Sequence, residues 1–428
     1  MAKHTHSKHV VLIGGGFAGL HFAKGLTGNG TYRITLVDRN NYNYFTPLLY
    51  QVATGFLEPS AISYPFRKLF KHRGISFRMA TVVRIDPDSK TVFLNDGGEL
   101  QYDLLVLAAG TKTNFFGNEA ISRQAYYIKT IDDAISMRNG LIQTLERASV
   151  TRDPVLRKKL LTMVIAGGGP TGVELAGMLA EFKACLIGMD YPELNGENLH
   201  VYLIEGSSNL LSPMSAASHR EAYRILDRMG IIIRLNTRVT GIDHDRIMLS
   251  TGESIDTATL IWAIGVTANT FAGIPNDRLG RGNRLLTNAY GEVEGYNNIY
   301  AIGDISIQRL DRAYPDGHPQ LAQPAIQQGK WLARNFRLLA RGKPLKQFRY
   351  FDRGDMAIIG RRWAVADLFK HRLHLGGIFG LFGWLFIHLM ALVNYNNKIK
   401  TCYNWLVAYL THDQVLRMIF QAKKNQTP

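Results

Sequence analysis

An apolar run that breaks into Gly-x-Gly-x-x-Gly occurs twice in this chain. VVLIGGGFAG carries Gly14, Gly16 and Gly19, and VIAGGGPTG carries Gly167, Gly169 and Gly172. A later apolar run closes each copy, YDLLVLAAG ending at Gly110 and TATLIWAIG ending at Gly265. The distance from the middle glycine of the fingerprint is 94 residues in one copy and 96 in the other. Such an internal duplication of strand, tight turn and helix start restricts the fold to α/β with two Rossmann-like units. Glycine is needed at the turn because a pyrophosphate must approach bare backbone amides at the positive end of a helix. Two turns of this kind predict two dinucleotide sites, and hence a pair of electron carriers.

In both copies the next strand ends in an acid, Asp38 in RITLVD and Glu205 in LHVYLIE. A carboxylate there accepts hydrogen bonds from ribose hydroxyls and repels a 2′-phosphate, so Glu205 predicts NAD rather than NADP. Asp38 follows Gly16 by 22 residues, whereas Glu205 follows Gly169 by 36. The longer gap predicts either an extended first helix in the second copy or an insertion around DYPELNGENLH. Glu174, two residues past Gly172, is expected in the first turn of that helix, where the dipole favours an acid.

At 428 residues, 46% hydrophobic and 20% charged, the chain has material for two or three folded domains and is not disordered. The two cysteines, Cys185 and Cys402, form no CxxC and no metal-ligand spacing, which argues against a dithiol relay or an iron–sulfur cluster. The N-terminal MAKHTHSKH has no apolar signal region and is expected to enter the first strand at Val10. His4, His6, His9 and His21 read as a solvated tail rather than as metal ligands.

The net charge of +16 is concentrated at the C-terminal end. Residues 341–428 hold fourteen Lys and Arg against four Asp, and no glutamate follows Glu294. Within them lies LGGIFGLFGWLFIHLMALV, residues 375–393, whose only ionisable side chain is His388. Lys370, His371 and Arg372 precede it, and Lys398 and Lys400 follow. An aromatic-rich apolar segment with basic flanks suits an anionic membrane surface. A helix lying in the interface is the favoured arrangement; a buried hairpin or dimer contact and a spanning helix are the alternatives. Gly376, Gly377, Gly380 and Gly383 should weaken the helix start. Residues 403–420 are expected to form a second in-plane helix with Trp405, Tyr409, Leu416 and Ile419 on one face and Lys423 and Lys424 beyond it. Trp384, Trp405 and Tyr409 are expected at headgroup level. No helix-turn-helix, zinc-finger or RNA-binding motif accompanies the basic residues, so nucleic acid is not an expected partner.

These features together resemble the flavoproteins with two dinucleotide-binding domains, and within them the type II NADH dehydrogenases, the single-subunit, non-pumping NADH:quinone oxidoreductases. The resemblance rests on the two fingerprints, AAGT at Ala108–Thr111, NIYAIGD at Asn298–Asp304, AQPAIQQG at Ala322–Gly329 and the apolar, basic C-terminus. It implies an FAD-binding domain in two parts, residues 1–118 and 285–340, an inserted NADH-binding domain, 119–284, and a membrane-anchoring region, 341–428. FAD is implied on Gly14, Gly16, Phe17, Ala18, Gly19, Asp38, Thr46, Val83, Ala109, Gly110, Gly303, Asp304 and Ala322. Thr46, Pro47 and the Val52–Gly55 stretch match the part of the family that passes close to the flavin. NADH is implied on Gly167, Gly169, Thr171, Gly172, Glu205 and Gly265. Glu174 would face the reacting rings, and Gln323 and Gln327, one helical turn apart, would hold the quinone, since neutral amides donate to carbonyl oxygens without burying a charge. As a bland alternative, the two glutamines brace the flavin domain. His374 lies near the position of the family's basic residue at the quinone site, without an unambiguous match.

The resemblance also implies hydride transfer from NADH to FAD, two electrons onward to a membrane quinone, a peripheral seat on the cytoplasmic face of the inner membrane, and homodimerisation in some members. A soluble NADH-dependent ferredoxin or rubredoxin reductase, and a flavin-bearing redox sensor resembling the apoptosis-inducing factors, share the nucleotide motifs without requiring the apolar tail.

Overall fold

Strands buried on both faces read as unbroken apolar runs, and the runs VVLI, LLVL, MVIA and TLIW all become buried parallel strands, the first three central in their sheets and TLIW at the end of its sheet. The computed structural model describes residues 7–28, 30–183, 190–194, 197–369, 372–411 and 418–419. The chain divides into two compact units. Unit 1 comprises Met1–Tyr44, Tyr64–Lys112 and Val266–Asp352; unit 2 comprises Phe45–Ser63, Thr113–Gly265 and Arg353–Pro428. These divisions differ from the sequence-based ones in giving Phe45–Ser63 and the chain from Arg353 onward to the unit that holds the second fingerprint.

Unit 1 is built on a parallel sheet in the order Ile299–Ala301, Leu104–Leu107, Lys8–Ile13, Tyr32–Asp38, Ile75–Met79. The first-fingerprint helix, Phe17–Leu26, packs on helix Ala322–Leu339. Small residues allow the close approach: a Cβ on Gly25 would lie 2.5 Å from Ala333 Cβ, and one on Gly329 would fall on Ala18 O. Phe22 and Phe336 meet edge to face at 5.0 Å beside this contact. Both faces of the sheet are covered, and Val11, Leu105, Ile299 and Ile305 are fully buried in its core.

Unit 2 repeats the plan. Its sheet runs Ile231–Arg234, His200–Ile204, Thr162–Ala166, Thr259–Trp262, all parallel. In each copy the last strand is preceded by a three-stranded antiparallel meander, Val82–Asp86, Thr91–Leu94 and Glu99–Gln101 in unit 1, and Val239–Asp243, Arg246–Leu249 and Ser254–Asp256 in unit 2. Even the irregularity is repeated, for the register shifts between Val82 and Arg84 and again between Val239 and Gly241. The stretch that lengthens the second gap includes residues 184–189, which lie outside the described residues. Pro170–Phe182 has 13 residues against 10 in Phe17–Leu26, and a short 3-10 turn, Pro192–Leu194, lies in the added stretch.

The C-terminal part of unit 2 is an antiparallel sheet, Gly354–Ile359, Trp363–Leu368 and Leu373–Leu375, followed by helices Gly377–Ala391 and Tyr395–Thr411. Several expectations are corrected here. The second helix starts eight residues earlier than expected and is described as far as Thr411, while Leu416, Lys423 and Lys424 lie outside the described residues. Trp384, Trp405 and Tyr409 turn inward rather than toward a headgroup layer. Trp384 is fully buried, Trp405 is buried, and Tyr409 Oη donates to Arg361 O at 2.6 Å. Gly380 is a packing requirement rather than a weak point, because a Cβ there would lie 2.6 Å from Ala364 O. His374 is held between Asp367 (2.9 Å) and Glu221 (3.0 Å) and serves the sheet. At the other end, His9 is in the first strand with Nε2 at 2.8 Å from Thr35 Oγ1, and His21 is in the first helix with Nδ1 donating to Phe17 O. Neither belongs to a solvated tail; His4 and His6 lie outside the described residues.

Candidate functional site: two nucleotide cradles

In unit 1 the expected residues gather at the C-terminal ends of the parallel strands, where doubly wound sheets bind ligands. Gly14 follows the first strand at φ +96° with its N–H donating to Val37 O at 2.8 Å. A side chain there would collide with the Ala108 carbonyl, and one on Gly19 with the Gly14 carbonyl. Gly16 caps helix Phe17–Leu26, which has no side-chain cap, and a Cβ on Gly16 would meet nothing within 4 Å. The helix start, with Phe17 and Ala18 as its first residues, therefore presents its positive end to an open approach, which is the environment an anionic phosphate needs. Asp38 closes the turn: Oδ2 accepts Gly15 N–H at 2.7 Å and Oδ1 accepts Asn40 N–H at 2.8 Å. Burial pushes its carboxyl up and the two backbone donors hold it down. Each oxygen keeps a lone pair for a ribose hydroxyl.

Ala109 and Gly110 follow the fourth strand and are tied by Asn269, whose Nδ2 donates to Ala109 O at 2.8 Å. Gly303 follows Ile299–Ala301 at φ +78°, and its N–H donates to Gln328 Oε1 at 2.6 Å. Asp304 stands in the same 3-10 turn with its carbonyl accepting from Gln320 Nε2 at 2.9 Å. Buried Arg284 is pushed down to about 10 by desolvation, and Asp304 is the charge that opposes the shift. Val83 is half exposed at the register break of the meander. These residues fit an FAD: a glycine turn no side chain can enter, an uncapped helix start, a ribose acid and a Gly-Asp turn.

Helix Ala322–Leu339 carries Gln323 in its first turn and Gln327 one turn later. Gln327 is already committed. Its Nε2 donates to Phe351 O at 2.8 Å and its Oε1 accepts Phe351 N–H at 3.0 Å, so the amide completes a two-point brace to the backbone. Of the two roles open to it, this geometry favours the brace. Gln328, which sequence reasoning passed over, is the buried glutamine that fixes Gly303. Its signal was available: on this helix it shares an apolar stripe with Ala325, Gly329, Leu332 and Phe336, where a glutamine needs a partner.

Unit 2 reproduces the cradle. Gly167 at φ +110° donates to Ile204 O at 2.8 Å, and a Cβ on Gly172 would fall on the Gly167 carbonyl. Gly169 caps the helix without a side-chain bond and faces open space, Pro170 occupies the first turn and Thr171 is exposed. Glu205 Oε2 accepts Gly168 N–H at 2.5 Å while Oε1 accepts both Ser207 N–H and Ser207 Oγ–H at 2.7 Å. Gly265 sits past the last strand at φ +64°.

Glu174 is the fifth residue of its helix, one turn deeper than expected, so it gains little from the helix dipole. It is buried, and burial pushes its carboxyl well above the ordinary carboxylate range against a hydrogen bond from the Ile358 backbone. Tyr50 is fully buried and pushed up as well, first by desolvation and then by the charge of Glu174. Thr46 opens a 3-10 turn, Thr46–Leu48, in the same segment of unit 2.

The pyridine nucleotide-disulphide oxidoreductase family matches residues 8–329. That span covers both cradles and defines the class. A type II NADH:quinone oxidoreductase of Mycobacterium tuberculosis, Ndh, is 33% identical over 96% of this chain and 90% of its own length. The Haemophilus influenzae type II NADH:quinone oxidoreductase is 29% identical over 90% of this chain and 93% of its own. The chain belongs to the pyridine nucleotide-disulphide oxidoreductase family and, within it, to the type II NADH:quinone oxidoreductases. Among solved structures, NDH2 of Plasmodium falciparum in complex with NADH shares the fold, with a TM-score of 0.88 at 21% identity over 97% of this chain and all of that one. A sulfide:quinone oxidoreductase of Aquifex aeolicus shares it at a TM-score of 0.70 and 21% identity, covering 94% of this chain and 95% of that one.

Proposed function

We propose that unit 1 holds FAD, that unit 2 binds NADH, and that the chain passes two electrons from NADH to a quinone at a membrane surface. The observation that carries this reading is the duplicated cradle, in which a carboxylate grips the middle of each glycine turn (Asp38 on Gly15, Glu205 on Gly168) beside an uncapped helix start. Bound FAD would supply hydride acceptance and two-electron release. The protein supplies position. Gly16, Phe17, Ala18 and Gly19 offer the pyrophosphate a helix start, Asp38 takes a ribose, Val83 borders the adenine, and Ala109, Gly110, Gly303, Asp304 and Ala322 lie along the rest of the cofactor. Gly167, Gly169, Thr171 and Gly172 take the NADH pyrophosphate, with Glu205 on its ribose and Gly265 beside it. Glu174, whose carboxyl burial pushes well above the ordinary carboxylate range, serves as a hydrogen-bonding or proton-transfer group beside the reacting rings, and Gln323 donates to the quinone.

The membrane side of the reading rests on helices Gly377–Ala391 and Tyr395–Thr411. Phe379, Phe382 and Phe386 are each at least 64% exposed on the first, and Tyr395, Tyr403 and Leu410 are exposed on the second. Large exposed apolar patches mark interaction surfaces. Among the described residues no helix is long and apolar enough to cross a membrane. The exposed aromatic residues support an in-plane seat against anionic lipid, which we place on the cytoplasmic face.

Purified protein should carry a yellow flavin that NADH bleaches and a soluble ubiquinone or menaquinone analogue restores. NADPH should bleach it at least about tenfold less efficiently, because Glu205 opposes a 2′-phosphate. A colourless protein with intact fold, or equal use of both nucleotides, would overturn the assignment of the cradles.

A further inference from the structure

Helix Tyr395–Thr411 has two faces. Tyr395, Ile399, Tyr403, Leu406 and Leu410 are exposed, while Asn397, Thr401, Trp405 and Ala408 are buried. The inward polar residues recur every four positions and so form one ridge, and that ridge lies along the segment Phe45–Ser63. Asn397 Nδ2 donates to the carbonyls of Ser60, Ala61 and Ser63 at 3.2, 2.8 and 2.9 Å. Thr401 Oγ1 donates to Ala61 O at 3.2 Å, and Trp405 Nε1 to Gln51 Oε1 at 2.9 Å.

Packing alone does not explain Asn397. Its Oδ1 is buried without a partner among the described residues, and an unsatisfied buried acceptor costs stability that a leucine of similar size would not. What the amide adds is a fixed register between the helix and three carbonyls of one short segment. Trp405 adds direction. An indole nitrogen can only donate, so it fixes Gln51 Oε1 toward itself and Gln51 Nε2 toward Tyr50 Oη, which accepts at 3.0 Å. Tyr50 therefore receives a hydrogen bond from one side and keeps its own proton for another, within electrostatic reach of Glu174.

We infer that Asn397 and Trp405 are positioning residues for quinone reduction: they hold Phe45–Ser63, the segment that carries Thr46 and the Val52–Gly55 stretch, in the conformation electron delivery requires. This rests on the functional reading above. It assigns the inward face of an otherwise lipid-facing helix to the chemistry rather than to anchoring.

The test uses full-length, FAD-loaded protein with lipid and two acceptors. Ferricyanide takes electrons without needing a shaped quinone site, so it isolates the flavin half-reaction. In Asn397→Leu, FAD content and ferricyanide turnover should stay within about twofold of wild type while quinone kcat/KM falls about tenfold or more. Amide hydrogen exchange across residues 45–63 should accelerate. Trp405→Phe, which keeps a ring and removes the N–H, should lower quinone kcat and shift its pH profile with ferricyanide turnover unchanged. Thr401→Val, which removes one hydrogen bond, is the milder variant should Asn397→Leu fold poorly, with a fall of about threefold in quinone kcat/KM. Unchanged quinone kinetics in these variants, or parallel losses with both acceptors, would overturn the proposal. Wild-type protein that reduces ferricyanide but no quinone would instead overturn the functional reading itself, and the two failures are distinguished by the wild-type control.

Discussion

Four glycines separate what the fold needs from what the nucleotide needs. A methyl on Gly172 would strike the Gly167 carbonyl, and one on Gly19 the Gly14 carbonyl, so Gly172→Ala and Gly19→Ala should each cost about 1–3 kcal/mol of stability through overpacking. Gly16 and Gly169 differ. Both have extended, negative-φ backbone that alanine adopts freely, and a methyl on either meets nothing within 4 Å. Gly169→Ala should therefore change stability by less than about 0.5 kcal/mol yet weaken NADH about tenfold, because the space it fills is the path of the pyrophosphate. Thermal melts with and without NADH, beside isothermal titration, check both halves. Wild-type affinity in Gly169→Ala would mean that no phosphate approaches that turn. At this scale the sequence was legible wherever backbone geometry demanded a residue type. Asp38 and Glu205 were found despite unequal spacings, because each ends the strand next to its fingerprint and bonds the same turn amide. At Gln327 a brace was open in the sequence but its partner was not: the Phe351 backbone is 24 residues away in a stretch with no pattern of its own.

Elements were readable where a period or a buried run marked them, and misread where neither existed. The parallel strands follow from their apolar runs. The duplicated meanders were invisible because their strands are only three to five residues long, too short to establish a period. Helix Gly377–Ala391 is apolar almost all round, so nothing in its spelling says which aromatic turns inward; Trp384 went in and Phe379, Phe382 and Phe386 stayed out. Its supporting sheet carries a pH dependence of its own. Asp367 is fully buried and accepts from Ser215 N–H, Ser215 Oγ, Ser218 Oγ and the His374 ring, while the other side of that ring meets Glu221. Burial disfavours the His374 cation, but the carboxylates of Asp367 and Glu221 outweigh it and raise the histidine above its ordinary value. Burial likewise works against the Asp367 carboxylate, and its donors overcome it and hold it low. A raised folded-state histidine contributes fully below its unfolded value of about 6.5 and loses that contribution as pH climbs through the folded value. The lowered aspartate contributes above about 3.9 and fails as pH drops through its folded value. Stability compared between wild type and His374→Gln should thus differ by on the order of 1 kcal/mol at pH 6 and converge toward pH 9. A difference that grows with pH would show that the ring is neutral in the folded sheet.

Taken as a whole, the chain spends its positive charge and its exposed apolar surface at the same end of the sequence. No glutamate follows Glu294, and the fourteen basic residues after residue 340 lie before, within and after the two C-terminal helices, the first of which exposes three phenylalanines. Phe379, Phe382 and Phe386 recur at spacings of three and four, a single helical stripe, and burying each in lipid is worth about 2 kcal/mol. Basic side chains at an anionic surface add about 1 kcal/mol apiece and are screened by salt. The two contributions predict different responses. Wild-type protein should sediment with phosphatidylglycerol-containing vesicles and be partly released by high salt, while the smaller fraction bound to neutral vesicles should be insensitive to salt. Replacing the three phenylalanines by serine should abolish sedimentation with neutral vesicles, leave on anionic vesicles only a fraction that salt releases, and keep NADH:ferricyanide turnover and FAD content intact, because no residue of either cradle is touched. Quinone turnover should then fall only for long-tailed quinones held in a bilayer, and not for short-tailed soluble analogues. Should the triple variant still sediment with neutral vesicles, the stripe is covered by something other than the bilayer; a fall in molecular mass from dimer to monomer on the same substitution would identify the cover as a second copy of the chain.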